Sequence, residues 1–225
     1  MRATVIARDL VLGIDTSTRW LNLALVRGGE VVCRFREEVP THATRLAPEV
    51  AALLDAAEAP TRSIAAVGVV CGPGSFTGLR VGLASALGFA RALEVPVYGL
   101  DTLTALVRAY GLPGEGAAVL DARRREVYWR RYASPDGSPS PLGEAVSAPP
   151  AALEGSLEGL EWAVGDGVPL VTGWPASCRL EPEIPNMAIP AALNALAMLA
   201  SNREAEPLEP LYVRPPDVRP PGGAT

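Results

Sequence analysis

The 225-residue chain has no lysine, and all 20 of its basic residues are arginine. A phosphate-loop lysine, a Schiff-base lysine and a lysine general base are therefore excluded. It has one histidine, His42, so no site that needs two imidazoles, such as a zinc pair four residues apart on a helix, can form within it. A Ser-His-Asp triad would have to use His42. The three cysteines, Cys33, Cys71 and Cys178, are far apart and odd in number, which suits reduced core thiols better than a disulfide frame or a zinc site. No stretch approaches the roughly 18 uninterrupted apolar residues of a membrane helix. No charged leader followed by an apolar run and a cleavage site is visible at the start. A cytoplasmic location, away from membranes, is the expectation.

What is present points to a packed protein. Hydrophobic residues make up 48% of the chain, enough for a buried core, and the length fits one large domain or two small lobes sharing an interface. Residues 1–135 carry 16 arginines against 13 acids, while residues 136–211 carry 2 against 11. That acidic second part argues against its gripping a nucleic-acid backbone.

Asp9–Thr16 reads as a buried strand, and Trp20–Val26 alternates with the period of two that a strand requires. Gly28-Gly29 turns the chain into a third strand, Glu30–Glu38, closing an antiparallel meander. A helix is expected over His42–Glu58 with Thr41 as its cap, and Pro48 would kink it or mark its true start. A strand at Ala65–Cys71, a helix at Phe76–Leu93, a strand at Val97–Leu100 and a helix at Thr102–Tyr110 ended by Gly111 follow. Then the plan restarts. "VLGIDTSTRWLNLAL" and "AAVLDARRREVYWRRY" each run from an apolar strand through an aspartate, Asp15 or Asp121, and a polar turn into an alternating strand. Such duplication predicts two related lobes facing each other. Beyond that, Ser134–Pro150 reads as loop, Glu161–Val164 as a short strand into Gly165-Asp166-Gly167, and Ala188–Asn202 as a helix. From Glu204 the tail holds six prolines, with order expected only at Leu211–Arg214. The lobes are placed at 1–112 and 113–205, with the tail at 206–225.

Gly72-Pro73-Gly74 turns a strand into a helix capped by Ser75, and the free N–H groups of that helix start suit an anion. With no lysine it is not a Walker loop, and a plain glycine-requiring turn explains it equally well. In the helix, Gly78, Gly82, Ala86 and Ala90 recur every four residues, a stripe that lets a second helix approach closely, either from this chain or from another. Arg123, Arg124, Arg125, Arg130 and Arg131 form a basic cluster that reads as a solvated hairpin turn more readily than as a contact to nucleic-acid phosphate. For His42, a cap or interface role is favoured over general-base chemistry, because no G-x-S-x-G nucleophile motif accompanies it.

"GIDTSTRWLNLALV", "THATRLAPEVAALL", "GPGSFTGLRVGLASALGFA", "PVYGLDTLTALV", "LDARRREVYW" and "PLYVR" together resemble the TsaB (YeaZ) family of tRNA threonylcarbamoyladenosine biosynthesis proteins. The resemblance is tightest from Leu10 to Leu106 and looser to Arg214. It implies an α/β fold of the actin/Hsp70 (ASKHA, ribonuclease-H-like) type, with duplicated lobes of mixed sheets flanked by helices. It also implies a non-catalytic subunit paralogous to the transferase TsaD. TsaD carries two metal-binding histidines four residues apart, where this chain has Thr102 and Leu106. The family pairs through two helices of its first lobe, with TsaD or with itself, and its complex recruits the ATPase TsaE, tRNA being met only through the complex. The interface residues this implies are His42, Leu46, Val50, Leu53, Gly78, Gly82, Ser85, Ala86 and Phe89.

An actin-like ATPase would hold nucleotide near Asp15, Thr16 and Ser17, near Asp121, and near Gly165 and Asp166, with Asp15 and Asp121 facing each other over a Mg²⁺ ion. The turn after Asp121 has no glycine to admit a phosphate, which argues against turnover and leaves weak ATP or ADP binding open; no resident cofactor or metal is expected. The rivals to a scaffold are thus an ATPase of the same fold and a peptidase using His42.

Overall fold

The computed structural model describes residues 9–204 and 207–213. Strands β1 (Leu10–Asp15), β2 (Trp20–Arg27) and β3 (Glu30–Glu38) form the expected antiparallel meander. Helix α1 (His42–Ala56) runs through Pro48 from its start at His42. Thr41 stands at the cap position without a side-chain cap bond. Strand β4 (Ile64–Val70), helix α2 (Phe76–Leu93), strand β5 (Val97–Leu100) and helix α3 (Thr102–Tyr110) follow. Ser75 caps α2 by accepting the Gly78 amide, and Asp101 caps α3 by accepting the Thr104 amide. The second half supplies β6 (Gly114–Arg123), β7 (Glu126–Ser134), β8 (Ser140–Ala148), β9 (Trp162–Val164), β10 (Arg179–Glu181) and helix α4 (Ala188–Ala200).

The two sheets are built to one plan. The first has the order β3-β2-β1-β4-β5, with β4 and β5 parallel to β1. The second, read as β8-β7-β6-β9-β10, repeats it strand for strand with the same directions. Ser134–Pro150 is therefore not all loop: β8 is the counterpart of β3. It lies at the sheet edge with most residues exposed, so no apolar alternation marks it, and Pro141 is tolerated there because an edge strand has spare N–H positions.

Both sheets are covered by helices on at least one face. Leu10, Leu12 and Ile14 of β1 pack under α1 and α2 with Leu46, Val50, Leu53 and Leu83. On the other face lies α4, which follows the second sheet yet packs on β1, β2, β4 and β5 of the first. Gly13 and Gly68 are neighbours in the β1–β4 ladder, and a Cβ on either would overlap the α4 backbone at Ala188 or Ala191. Reciprocally, α3 follows the first sheet and packs on β6 and β9 of the second. This exchange of helices buries Leu103, Leu106, Leu120, Val164 and Met187 between the halves. Fully burying each such side chain contributes about 1.5–3 kcal/mol.

Candidate functional site

A cleft of about 840 Å³ lies where the duplicated turns approach each other. The β1–β2 turn contributes Ser17 and Thr18, the β4–α2 turn Gly74 to Gly78, and the end of β6 contributes Asp121 and Arg123. His42 at the start of α1, Asp166 after β9 and Tyr212 complete the lining that matters here.

Asp15 does not reach this cleft. It is fully buried; its Oδ1 accepts the Ser17 amide at 2.8 Å and the Ser17 hydroxyl at 2.6 Å, and its Oδ2 accepts Asn22 Nδ2 at 2.7 Å. Burial pushes its carboxyl above the ordinary value, and the Ser17 and Asn22 bonds oppose that only in part. Thr16 is buried as well, donating its hydroxyl to the Gly78 carbonyl at 2.8 Å. The carboxylates on the cleft are instead Asp121 and Asp166. Asp121 accepts the Arg123 amide at 2.7 Å and Arg123 Nη1 at 3.0 Å, while Asp166 accepts the Asp121 amide at 2.9 Å. Burial raises the Asp166 carboxyl, and the Asp121 charge adds to the rise. Asp15 therefore does not face Asp121 across the cleft, since Ser17 holds its Oδ1 and Asn22 on β2 its Oδ2. Gly165 is buried behind the lining, so of the six proposed nucleotide contacts only Ser17, Asp121 and Asp166 face the cavity.

The turn ahead of α2 is partly satisfied from within, since the Ser75 amide donates to the Ser17 carbonyl at 2.7 Å. His42 is half-buried at the rim, with Nε2 3.3 Å from the Trp20 carbonyl oxygen. The arginine cluster is split by the pleat of β7. Arg130 is buried, with Nη1 3.4 Å from Asp101, and Arg131 reaches Glu115 at 3.1 Å. Arg123, Arg124 and Arg125 stay exposed in the turn, all three with positive φ of 61°, 54° and 65°.

The expected interface residues are mostly turned inward. Leu46, Val50 and Leu53 lie in the core under α1, and Ala86 joins them from α2. Gly78 and Gly82 press on Thr16: a Cβ on Gly78 would overlap the Thr16 carbonyl, and one on Gly82 the Thr16 hydroxyl. The small-residue stripe therefore seats α2 on the chain's own β1 end. His42, Ser85 and Phe89 are half-buried at the margin. The outward face of the helix pair carries other residues, Ala43, Ala47 and Ala51 on α1 with Ala84, Leu87 and Gly88 on α2. Their signal was in the sequence, as small residues four apart, Ala43, Ala47 and Ala51 on α1 and Ala84 and Gly88 on α2.

The family model for TsaD, tRNA N6-adenosine threonylcarbamoyltransferase, matches residues 37–163. An uncharacterised protein of Mycobacterium tuberculosis is 39% identical over 213 residues, 93% of this chain and 94% of that one. The tRNA threonylcarbamoyladenosine biosynthesis protein TsaB of Escherichia coli is 31% identical over 221 residues, covering 91% of this chain and 94% of its own. The solved structure of YeaZ from Pseudomonas aeruginosa superposes with a TM-score of 0.77 at 30% identity, over 91% of this chain and 99% of that one. The chain belongs to the TsaB (YeaZ) family.

The TsaB family works in tRNA threonylcarbamoyladenosine biosynthesis, and its duplicated actin-like fold is the one described above. At the two positions where the resemblance puts the metal-binding histidines of TsaD, Thr102 and Leu106 are fully buried. Leu106 packs in the apolar core between the two halves. Among the described residues no helix is long and apolar enough to cross a membrane.

Proposed function

We propose that this TsaB-family chain is a non-catalytic scaffold in tRNA threonylcarbamoyladenosine biosynthesis, docking onto a TsaD-type transferase subunit through the outer face of α1 and α2. The observation that carries this reading is Gly88. It lies exposed in mid-helix, and a Cβ built on it would meet nothing within 4 Å. A glycine there costs about 1 kcal/mol relative to alanine and meets no side-chain packing need among the described residues. With Ala84 exposed one turn before it, it leaves room for a partner helix at close backbone distance. The same face would serve a homodimer when the chain is alone, and the assembled pair would form the surface that a TsaE-type ATPase reads. tRNA would be met through the complex.

The rival ATPase reading would need Asp15 as a cation or phosphate-side group, and Asp15 is committed to Ser17 and Asn22. The peptidase reading would need His42 free to act as a base, where its Nε2 sits against the Trp20 carbonyl.

Light scattering after size-exclusion chromatography tests the proposal, with the chain alone and mixed with the TsaD-type subunit of the same organism. The wild type is expected to form a stoichiometric complex, and Gly88→Arg to stay folded and monomeric beside its partner. A complex that survives Gly88→Arg would place the interface elsewhere, and no complex with the wild type would end the scaffold reading.

A further inference from the structure

Residues 207–213 return to the first half of the chain and lie across the end of its sheet. Leu208 packs at the margin of the core under α1 and α2, its Cδ1 lying 2.9 Å from where a Cβ on Gly99 would stand. The Leu211 amide donates to the Cys71 carbonyl at 2.7 Å. The Leu211 carbonyl fills the space beside Gly72, 2.5 Å from where a Cβ would stand, and Gly72 itself has φ of +117°. Tyr212 sets its ring 5.3 Å from that of Phe76, and its hydroxyl accepts Arg80 Nε at 3.3 Å. The Arg80 guanidinium covers the Phe76 ring at 3.9 Å. Two glycine gaps, a backbone bond and a stacked trio thus receive one short segment.

The place it occupies has consequences. Phe76 and Arg80 belong to the first turns of α2, and Tyr212 and Phe76 are both part of the cleft wall. Without the segment the cleft would lose the Tyr212 ring, and the Cys71 carbonyl would lose the Leu211 amide. Leu208 and Val213 anchor the segment at the margins of two core clusters, while Leu211 is 39% exposed and Phe76 37%. Segments held this way open locally at a small fraction of the global unfolding free energy, because the backbone they order regains its freedom on release.

We propose that residues 208–213 form a detachable strap whose closure fixes the first turn of α2 and completes one wall of the interlobe cleft. The strap is a conformational device independent of the docking reading. In its open state the cleft widens on the Phe76 side, and the aromatic and guanidinium groups of α2 become free for another occupant.

Cys71 reports on the strap, since its carbonyl accepts the Leu211 amide and burial pushes its thiol up to about 11, which makes labelling slow while that end of the sheet stays closed. In the full-length chain carrying Cys33→Ser and Cys178→Ser, the rate of Cys71 labelling by a small aromatic disulfide reagent is measured beside amide exchange of α2. Tyr212→Ala, and separately Leu211→Pro, which removes the amide donor, are expected to speed labelling about tenfold and to speed exchange in the first turn of α2, with β1 still protected. Tyr212→Phe keeps the ring stack and loses the hydroxyl, so it should fall between. Labelling unchanged in all three variants would overturn the strap. So would faster labelling with α2 exchange unchanged, or with β1 protection lost throughout, since the segment would then be either a passive cover or part of the global fold.

Discussion

The Thr16 hydroxyl donates to the Gly78 carbonyl at 2.8 Å and occupies the space that a Cβ on Gly82 would need. The first residue after β1 is thereby wedged against the second turn of α2, and the glycine spacing of that helix is explained from within the chain. Gly82→Ala should therefore destabilise the fold by about 1–3 kcal/mol through overpacking, even though alanine is the better helix former. In a Thr16→Ala background, where the hydroxyl is gone, the same substitution should cost much less. Urea unfolding of the four proteins measures the coupling, and equal penalties in the two backgrounds would refute the wedge.

Gly88 lies only six residues further along the same helix and predicts the opposite sign. Among the described residues nothing stands where its Cβ would go, so Gly88→Ala should stabilise the isolated protein by up to about 1 kcal/mol. For a chain of this size that is a rise in melting temperature of about 2–4 °C. A neutral or destabilising result in calorimetry would show that the glycine serves the fold after all.

These two glycines also mark how far the sequence could be read. Apolar periodicity with the turn and cap residues around it placed α2, β5 and α3 at their observed bounds, and the Gly28-Gly29 turn placed β3, which buries no residue fully. It also revealed the duplication at Asp15 and Asp121 that the two matching sheets display. Periodicity shows that a face is packed but not against what, so the Gly78–Gly82 stripe read as the seat of another helix, ordinarily of this chain or else of a partner, where the structure seats Thr16. The edge strands of the second sheet were the other blind spot. β8 keeps Pro141 and Gly143 and exposes most of its residues, and β10 is three residues long, so neither alternates visibly. Asp15 looked like a ligand-facing carboxylate because nothing in its spacing tells that Ser17 and Asn22 hold both its oxygens.

The buried Asp15 sets a pH dependence. Burial raises its folded-state value above the ordinary 3.8, so the folded chain holds that proton more tightly than the unfolded one. The associated stabilisation is fully present below 3.8 and is lost as pH rises through the folded value. Relative to Asp15→Asn, whose side chain does not titrate, the wild type should gain stability as pH is lowered from neutral toward 4. Urea midpoints of both proteins across that range measure it. A difference that shrinks on acidification would mean that the Ser17 and Asn22 hydrogen bonds to the ionised form outweigh its burial.

The seam between the halves offers a prediction about charge. Arg130 on β7 is buried, its side chain 9% exposed, and its Nη1 stands 3.4 Å from Asp101, the residue that caps α3. Among the described residues its Nε has no hydrogen-bond partner, and Asp101 is the carboxylate that balances its charge, with the Tyr132 side chain beside it. Asp101→Asn retains an oxygen to accept the Thr104 amide and so keeps the cap, but it removes the countercharge and leaves a buried cation alone. That should cost about 3 kcal/mol. Arg130→Met keeps much of the apolar stem and carries no charge, so it should cost less than Asp101→Asn. Adding Arg130→Met to Asp101→Asn should then recover stability, since the stranded charge is gone. If Asp101→Asn proves the milder change in urea unfolding, water reaches the guanidinium, and the two halves are held together by the exchanged helices α3 and α4 without help from this pair.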